Sequence, residues 1–226
     1  MIVVYCANRA IYPQLPTALN SLFRNNPEVE RIYLLIEDDR IPYINHPKVE
    51  FINCNAYDFL IREGLNCTKR FTYMAMTRCF LTKILKEDKI LYLDVDTVID
   101  ADLRELWNYN IGGNYVAGRE ESPGYINSGV LLMNLRLIRS SGLDDRMIDL
   151  LKRCRFVFPD QDVINLVLKG SISFLPAKFN AVGADFLVYD KEISIRHFAG
   201  VTKPWKEKAA EKDKAFWNKY AVLELK

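Results

Sequence analysis

The most constraining feature of the sequence is an apolar run interrupted by two carboxylates one residue apart. Residues 90–99 have the sequence ILYLDVDTVI. Four consecutive apolar residues before Asp94 predict a central strand that is covered on both faces. At the end of such a strand, residues i and i+2 point the same way, so Asp94 and Asp96 can reach one hard cation. Open α/β sheets also bind their ligands at the carboxyl ends of their strands.

Strand and helix patterns alternate along the rest of the chain. Apolar runs predict strands at residues 2–7, 31–36, 49–54, 115–118, 172–175 and 193–195; helical spacing predicts helices at residues 15–25, 72–85, 102–109 and 143–154 and one that opens at Pro159. The charged residues 119–121 predict a turn. This alternation predicts the α/β class. A length of 226 residues, half of them hydrophobic, predicts one domain with one substantial core.

The end of the sequence predicts an amphipathic helix. Residues 206–226 mix Lys with Glu and carry Phe216, Trp217 and Tyr220. We expect residues 1–205 to form the domain and residues 206–226 to dock on it as this helix. A contact with a membrane surface or a partner is the alternative.

Composition excludes several classes of protein. The balance of 31 Lys and Arg against 29 Asp and Glu, a net charge of +2, is no nucleic-acid footprint. Five cysteines without a Cys-x-x-Cys spacing argue against a disulfide framework or a zinc knuckle and favour a reducing cytoplasm. The start of the sequence lacks a basic leader, and no apolar run approaches the roughly 20 residues of a membrane helix. These features predict a soluble, cytoplasmic protein that is at most peripheral at the inner membrane face.

Residues that suit phosphate chemistry follow the last predicted strand. His197 is one of two histidines, with Gly200 and Lys203 at i+3 and i+6. Glycine lets backbone N–H groups close on an anion, and lysine supplies a point charge for a phosphate. Two carboxylates and an imidazole beside such a loop would hold a divalent cation that bridges a diphosphate, and this ligand set suits Mn²⁺ or Mg²⁺ better than zinc. The pattern indicates loss of a nucleoside diphosphate from a sugar.

Three further features are ambiguous on their own. The small pair Ser128 and Gly129 lets the backbone approach another group closely. Arg78 lies on the predicted helix at residues 72–85 and could aim a guanidinium at the acids, although a solvated or ion-paired residue is the simpler expectation. Asp160 follows Pro159 in ordinary helix N-terminal chemistry.

Five blocks in one order resemble glycosyltransferase family 8, whose members include glycogenin and bacterial lipopolysaccharide galactosyl- and glucosyltransferases. The blocks are residues 91–96, 127–135, 160–165, 175–180 and 197–205. The resemblance implies a single-domain GT-A fold, with a Rossmann-like mixed central sheet flanked by helices. It also implies a UDP-linked donor such as UDP-glucose or UDP-galactose, dependence on Mn²⁺ (or Mg²⁺), and transfer with retention at the anomeric carbon.

The resemblance also implies roles for individual residues. Metal ligation falls to Asp94, Asp96 and His197, and diphosphate contacts to Gly200 and Lys203. The remaining positions match donor contacts: Ala7, Asn8 and either Ile11 or Tyr12 at the uridine, Arg78 and Asp94 at the sugar and diphosphate, Asn127, Ser128, Asp160 and Gln161 around the transferred sugar, and Glu120 or Glu121 at its hydroxyls.

The mechanism that we expect is a front-side displacement. Gln161 is an uncharged amide and a poor nucleophile, so we expect it to stabilise an oxocarbenium-like centre together with Asp160. A covalent intermediate on Asp160 is the alternative. A glycan is the expected acceptor, with glycogenin-like self-glycosylation and a non-catalytic UDP-sugar-binding protein as other readings. Sugar-1-phosphate nucleotidyltransfer is disfavoured because residues 8–11 lack the glycine of a triphosphate-binding loop.

Overall fold

The computed structural model describes residues 1–188 and 192–226. The strands are β1 Ile2–Cys6, β2 Arg31–Ile36, β3 Val49–Asn53, β4 Lys89–Leu93, β5 Thr97–Ile99, β6 Val116–Ser122, β7 Tyr125–Asn134, β8 Ile172–Leu175 and β9 Ile195–His197. The helices are α1 Leu15–Asn25, α2 Tyr73–Met76, α3 Leu81–Ile84, α4 Arg104–Trp107, α5 Leu135–Ser141, α6 Leu143–Arg153, α7 Pro159–Val167, α8 Asp185–Val188 and α9 Glu211–Asn218. Short 3-10 turns lie at Arg9–Gln14, Cys54–Ala56, Thr77–Phe80 and Ala177–Phe179.

The predicted α/β class with a mixed central sheet is confirmed. Seven strands pair in the order β3-β2-β1-β4-β7-β6-β8. All are parallel except β7, which runs antiparallel to both of its neighbours. The strand that leads to Asp94 is therefore the middle strand of the sheet.

The apolar run before Asp94 is buried because β4 contributes side chains to two hydrophobic cores, one on each face of the sheet. Leu91 and Leu93 pack in the cluster that contains α1, whereas Ile90 and Tyr92 pack in the cluster on the opposite face. Successive side chains of a strand point to opposite faces, so a strand covered on both sides must be apolar at every position. The prediction of a doubly covered strand is confirmed.

A second, two-stranded sheet brings distant parts of the chain together. Strand β5 pairs antiparallel with β9, and Thr97 stands opposite His197. The Phe198 amide also donates to the Asp96 carbonyl at 2.9 Å. This pairing joins the two acids to the loop after the last strand.

Four local predictions differ from the structure. The last strand, expected at residues 193–195, is Ile195–His197 and so includes His197 itself. The helix expected at residues 72–85 is two short helices separated by the 3-10 turn Thr77–Phe80. There the Thr77 hydroxyl donates to the Tyr73 carbonyl at 3.0 Å, which gives the backbone an alternative to regular helix bonding. Residues 119–121 are not a turn but belong to β6, which pairs irregularly with β7. The helix expected at residues 102–109 is only Arg104–Trp107.

The last helix, α9, is shorter than the predicted helical tail and packs against the rest of the chain. Trp217 and Tyr220 are buried in a cluster with Phe186 and Phe198. Asn20 of α1 also donates to the Tyr220 carbonyl at 2.8 Å. The domain boundary at residue 205 stays a prediction. Within residues 1–188 and 192–226, no helix has the length and apolar character to cross a membrane.

Candidate functional site

The two acids and His197 converge just beyond β4. The Asp94 amide donates to the Gly129 carbonyl at 2.8 Å, which continues the pairing of β4 with β7 by one residue, and the Thr97 amide then donates to the Asp94 carbonyl at 3.2 Å in the turn that follows. The pairing of β5 with β9 then places His197 Nε2 3.4 Å from Asp96 Oδ1 and 3.8 Å from Asp94 Oδ2. One ligand atom from each residue lies within 4.8 Å of the others. Two oxygens and one nitrogen at this spacing suit a divalent cation such as Mn²⁺ or Mg²⁺.

Lys203 stands at the edge of this cluster. Its ammonium group donates to the Asp96 carboxylate and, at 2.9 Å, to the Phe198 carbonyl. Burial alone would raise the pKa of Asp96, but the positive charges of a protonated His197 and of Lys203 outweigh burial, and the pKa is lowered. Asp96 is therefore an ionised carboxylate in the folded protein.

Arg78 connects the acids at the end of β4 to the first turn of α7. Its Nη2 lies 2.8 Å from Asp94 Oδ1, and its Nε lies 3.1 Å from Asp160 Oδ2. The guanidinium carbon lies 4.4 Å from the centre of the Tyr92 ring. Burial opposes the charge of Arg78, yet the carboxylates of Asp160 and Asp94 outweigh burial and raise its pKa. Arg78 is thus an ion-paired residue, as the simpler expectation had it, but it is buried rather than solvated.

Ser128 joins β7 to α7. Its amide donates to Gln161 Oε1 at 3.0 Å, and its hydroxyl donates to Asp160 Oδ2 at 2.9 Å. Asn165, one turn further along α7, bonds both the amide and the carbonyl of Ile126. These bonds fix α7 on the strand, and Asp160 and Gln161 line the same cleft as the two acids.

The two candidate glutamates have different surroundings. The Glu121 carboxylate accepts from Gln161 Nε2 at 2.8 Å and lines the cleft. Glu120 accepts instead from the Gly124 amide at 2.7 Å, within the turn between β6 and β7. Of the two, the structure brings Glu121 to Gln161.

These residues line a two-part cleft. The larger part has a volume of about 630 Å³ and the smaller part about 180 Å³. The parts share Ala75, Arg78, Asp94, Asp96 and Lys203. Of the predicted site residues, the larger part also contains Asn127, Ser128, Asp160, Gln161, His197 and Gly200, and the smaller part contains Asn8.

Two predicted residues lie elsewhere. The side chain of Tyr12 is 8% exposed and packs in the core, and its hydroxyl accepts from the Glu37 amide at 2.7 Å and donates to Asp38. Ala7 is buried, and its amide donates to the Leu35 carbonyl. Because the 3-10 turn after β1 rotates Tyr12 inward, the structure brings Ile11, not Tyr12, to the smaller part of the cleft.

Gly129 explains the small pair at residues 128–129. A Cβ atom on Gly129 would lie 2.1 Å from His197 Cε1, so the imidazole packs directly on this backbone. Residue motifs alone did not identify the neighbouring Asn180, whose Oδ1 lies 2.9 Å from His197 Nδ1. Its only signal in the sequence was its place in the block at residues 175–180.

We expect Gly129→Ala to displace the imidazole of His197. Overpacking should lower the free energy of unfolding by about 1–3 kcal/mol, and Mn²⁺ affinity should fall about tenfold or more. Urea unfolding and titration calorimetry measure the two effects. Gly113→Ala is the matched control, because a Cβ there meets nothing within 4 Å. Equal behaviour of the two variants would contradict the packing argument.

We expect Arg78→Met to destabilise the protein by about 3–5 kcal/mol near neutral pH, because it leaves buried carboxylates unpaired. Burial and Asp96 already raise the pKa of Asp94 against the opposing effect of Arg78. Removing Arg78 raises that pKa further. The penalty is therefore smallest below the already raised pKa of Asp94 in the unmodified protein, and it grows as the pH rises through the higher pKa of the variant.

Urea unfolding at about pH 5 and about pH 7.5 measures this dependence. Arg136→Met is the control, because Arg136 forms an exposed pair with Asp88 at 4.0 Å and should cost less than about 1 kcal/mol. An Arg78→Met penalty that does not grow with pH would contradict the assignment.

Comparisons with known proteins identify the family of this chain. The family model described as glycosyl transferase family 8 matches residues 2–209. Glycosyltransferase GlyE of Streptococcus pneumoniae is 27% identical over an alignment that covers 98% of this chain and 61% of that protein. The lipopolysaccharide 1,2-glucosyltransferase of Escherichia coli is 29% identical over an alignment that covers 62% of this chain and 52% of that protein. The chain therefore spans about three-fifths or less of the length of these two relatives.

Solved structures show the same fold. An active-site variant of LgtC superposes with a TM-score of 0.79 at 20% identity and covers 96% of this chain and 94% of that one. Crystalline GlyE from S. pneumoniae gives a TM-score of 0.76 at 26% identity, over 98% of this chain and 60% of that one. The architecture is the GT-A fold that the resemblance implied. With a family model that covers nearly its whole length, the chain belongs to glycosyl transferase family 8.

Proposed function

We propose that this glycosyltransferase is a retaining hexosyltransferase that moves glucose or galactose from a UDP-sugar to a hydroxyl group of a glycan. The observation that carries the proposal is the cluster of Asp94, Asp96 and His197 in a cleft that also holds Arg78 and Gln161. Similarity to two relatives, a lipopolysaccharide 1,2-glucosyltransferase and a lipopolysaccharide 1,3-galactosyltransferase, supports a hexose donor.

The ligand set fits Mn²⁺ or Mg²⁺. Asp96 is ionised, and His197 Nε2 faces both acids. Asp94 is held by Arg78 and by the Tyr92 hydroxyl at 2.8 Å, so its carboxylate is oriented in advance. When bound, the cation would neutralise the charge that grows on the leaving nucleoside diphosphate.

The smaller part of the cleft suits the uridine. It lies at the end of β1, where Asn8 offers an amide and Ile11 an apolar surface for a base. The diphosphate would then extend towards Gly200 and Lys203. Gly200 has φ +102°, a backbone conformation that favours glycine. Because glycine has no Cβ atom, a phosphate could approach this loop closely. Lys203 would exchange its hydrogen bond to Asp96 for a hydrogen bond to a phosphate oxygen.

The contacts around Asp160 and Gln161 favour front-side displacement. The Asp160 carboxylate is already bonded to Arg78 and Ser128, which makes it a poor nucleophile but a fixed negative charge. Gln161 is held through Ser128 and Glu121. In this mechanism the bond from the anomeric carbon to the phosphate oxygen breaks, and the acceptor oxygen bonds on the same face. The released phosphate oxygen takes the acceptor proton, while Asp160 and Gln161 stabilise the oxocarbenium-like centre.

An aromatic rim suits the acceptor. Phe71 and Phe158 meet edge to face with ring centres 6.0 Å apart, and both line the larger part of the cleft. The Arg70 guanidinium carbon lies 5.0 Å and 5.7 Å from the two ring centres. Phe158 is 39% exposed, and such a ring can pack against the apolar face of a sugar. We propose that the acceptor glycan binds at this rim.

A cytoplasmic location of the protein stays a prediction.

The first experiment follows UDP-hexoses by proton NMR with Mg²⁺ and without an acceptor. We expect slow hydrolysis of one donor that first releases the α sugar, because retention preserves the donor configuration. Asp96→Asn should reduce the rate at least about 100-fold. Asp102→Asn is the control, since that carboxylate pairs with Arg104 near the start of α4 and should leave the rate unchanged. Initial release of the β sugar would contradict retention, and UDP binding without any turnover would favour a binding protein.

The second experiment tests the acceptor rim. We expect Phe158→Ala to raise the KM for the best acceptor in a panel of methyl hexosides and disaccharides about tenfold, because it removes the stacking surface. Donor hydrolysis without acceptor should change by less than about twofold. Phe174→Ala is the control, a 44% exposed phenylalanine on β8. A loss of donor hydrolysis equal to the loss of transfer would argue against a role in acceptor binding.

A further inference from the structure

A buried chain of hydrogen bonds leads from the backbone of β7 to His197. The Gly129 amide donates to Asn127 Oδ1 at 2.9 Å. The side-chain nitrogen of Asn180, Nδ2, donates to the same oxygen at 2.9 Å. Asn180 Oδ1 then lies 2.9 Å from His197 Nδ1. Asn180 is fully buried and His197 is only 4% exposed, so each group depends on these partners.

The direction of this chain is fixed at its start. A backbone amide can only donate, so the atom of Asn127 that faces Gly129 must be its oxygen. That oxygen can accept a second bond only from a donor, which requires the NH₂ group of Asn180 to face it. The Asn180 oxygen consequently faces His197, and the hydrogen of that bond must sit on Nδ1.

The backbone holds both partners in register. Ala181, the residue after Asn180, accepts from the His197 amide at 2.8 Å and donates to the Ile195 carbonyl at 3.0 Å. On its other side, the imidazole packs directly on Gly129. The ring is therefore held on one face by packing and at one nitrogen by a hydrogen bond.

We propose that Asn180 is a positioning residue that keeps the neutral imidazole of His197 in the Nδ1–H tautomer, so that the Nε2 lone pair faces Asp94 and Asp96. Its consequence for metal binding rests on the proposed function, whereas the tautomer itself does not. A metal-binding imidazole must present an unprotonated nitrogen, and the group bonded to its other nitrogen selects which one.

The second histidine provides an internal reference. His46 Nδ1 accepts from the Lys48 amide at 3.2 Å, and its ring stacks on Phe23 with centres 3.9 Å apart. A backbone donor at Nδ1 requires the proton of neutral His46 to sit on Nε2. The two histidines should thus have opposite tautomers.

Long-range proton–nitrogen NMR on the ¹⁵N-labelled, metal-free protein at about pH 9 distinguishes the tautomers. We expect one imidazole of each kind, and His46→Gln should remove the Nε2–H set, which leaves His197 as the Nδ1–H form. Two imidazoles of the Nε2–H kind would overturn the proposal.

Variants of Asn180 then test the cause. Asn180→Leu fills a similar volume without an acceptor, and we expect it to lose the pure Nδ1–H form and to weaken Mn²⁺ binding about 10- to 100-fold. Asn180→Asp keeps an acceptor and should retain the tautomer. Asn66→Leu is the matched control: Asn66 is buried and donates to the carbonyls of Leu151 and Cys154, so its loss should cost stability without changing either imidazole.

The outcomes distinguish the positioning role of Asn180 from the proposed metal-dependent function. If Asn180→Leu keeps the Nδ1–H form, or if Asn66→Leu alters His197 equally, Asn180 does not position the ring. If the tautomer behaves as expected but the unmodified protein binds no Mn²⁺, the proposed function fails and the positioning role stands.

Discussion

The site depends on how the protein compensates negative charge at the end of its central strand. Leu93 is fully buried, and the chain delivers Asp94 directly after it. Buried carboxylates without partners are costly, and Arg78 offsets this cost by pairing with Asp94 and Asp160 together. The same guanidinium donates to the Ser128 carbonyl at 2.6 Å. One buried cation thereby ties helix α7 and strand β7 to the end of β4, which gives the cleft its fixed floor.

The metal-binding candidates combine rigid and exchangeable contacts. The imidazole of His197 is held by a hydrogen bond with Asn180 and by packing on the backbone of Gly129. Lys203, in contrast, holds Asp96 through a flexible side chain that a phosphate could attract. This division suits a transferase, because the ligand positions must persist through turnover while the diphosphate enters and leaves.

Local geometry explains which features could be predicted from the sequence. The strand before Asp94 and the shared direction of Asp94 and Asp96 follow from strand periodicity, which acts over a few residues. The approach of His197 requires the pairing of β5 with β9, so ligand chemistry and the family resemblance indicated it, whereas strand periodicity could not. Of the two candidates Ile11 and Tyr12, strand periodicity could not select Ile11, because the turn after β1 directs Tyr12 into the core. No role was predicted for Asn180, because its hydrogen bonds to Asn127 on β7 and His197 on β9 join residues that are far apart in the sequence.

The central claim is that Asp94, Asp96 and His197 hold the divalent cation of a UDP-sugar transferase. Anomalous diffraction from crystals grown with Mn²⁺ and UDP, recorded on both sides of the manganese absorption edge, tests it most directly. The account predicts one strong manganese peak bounded by the two carboxylates and His197 Nε2, with the diphosphate beside Lys203. Bound UDP without a manganese peak there, or a peak elsewhere in the cleft, would contradict it.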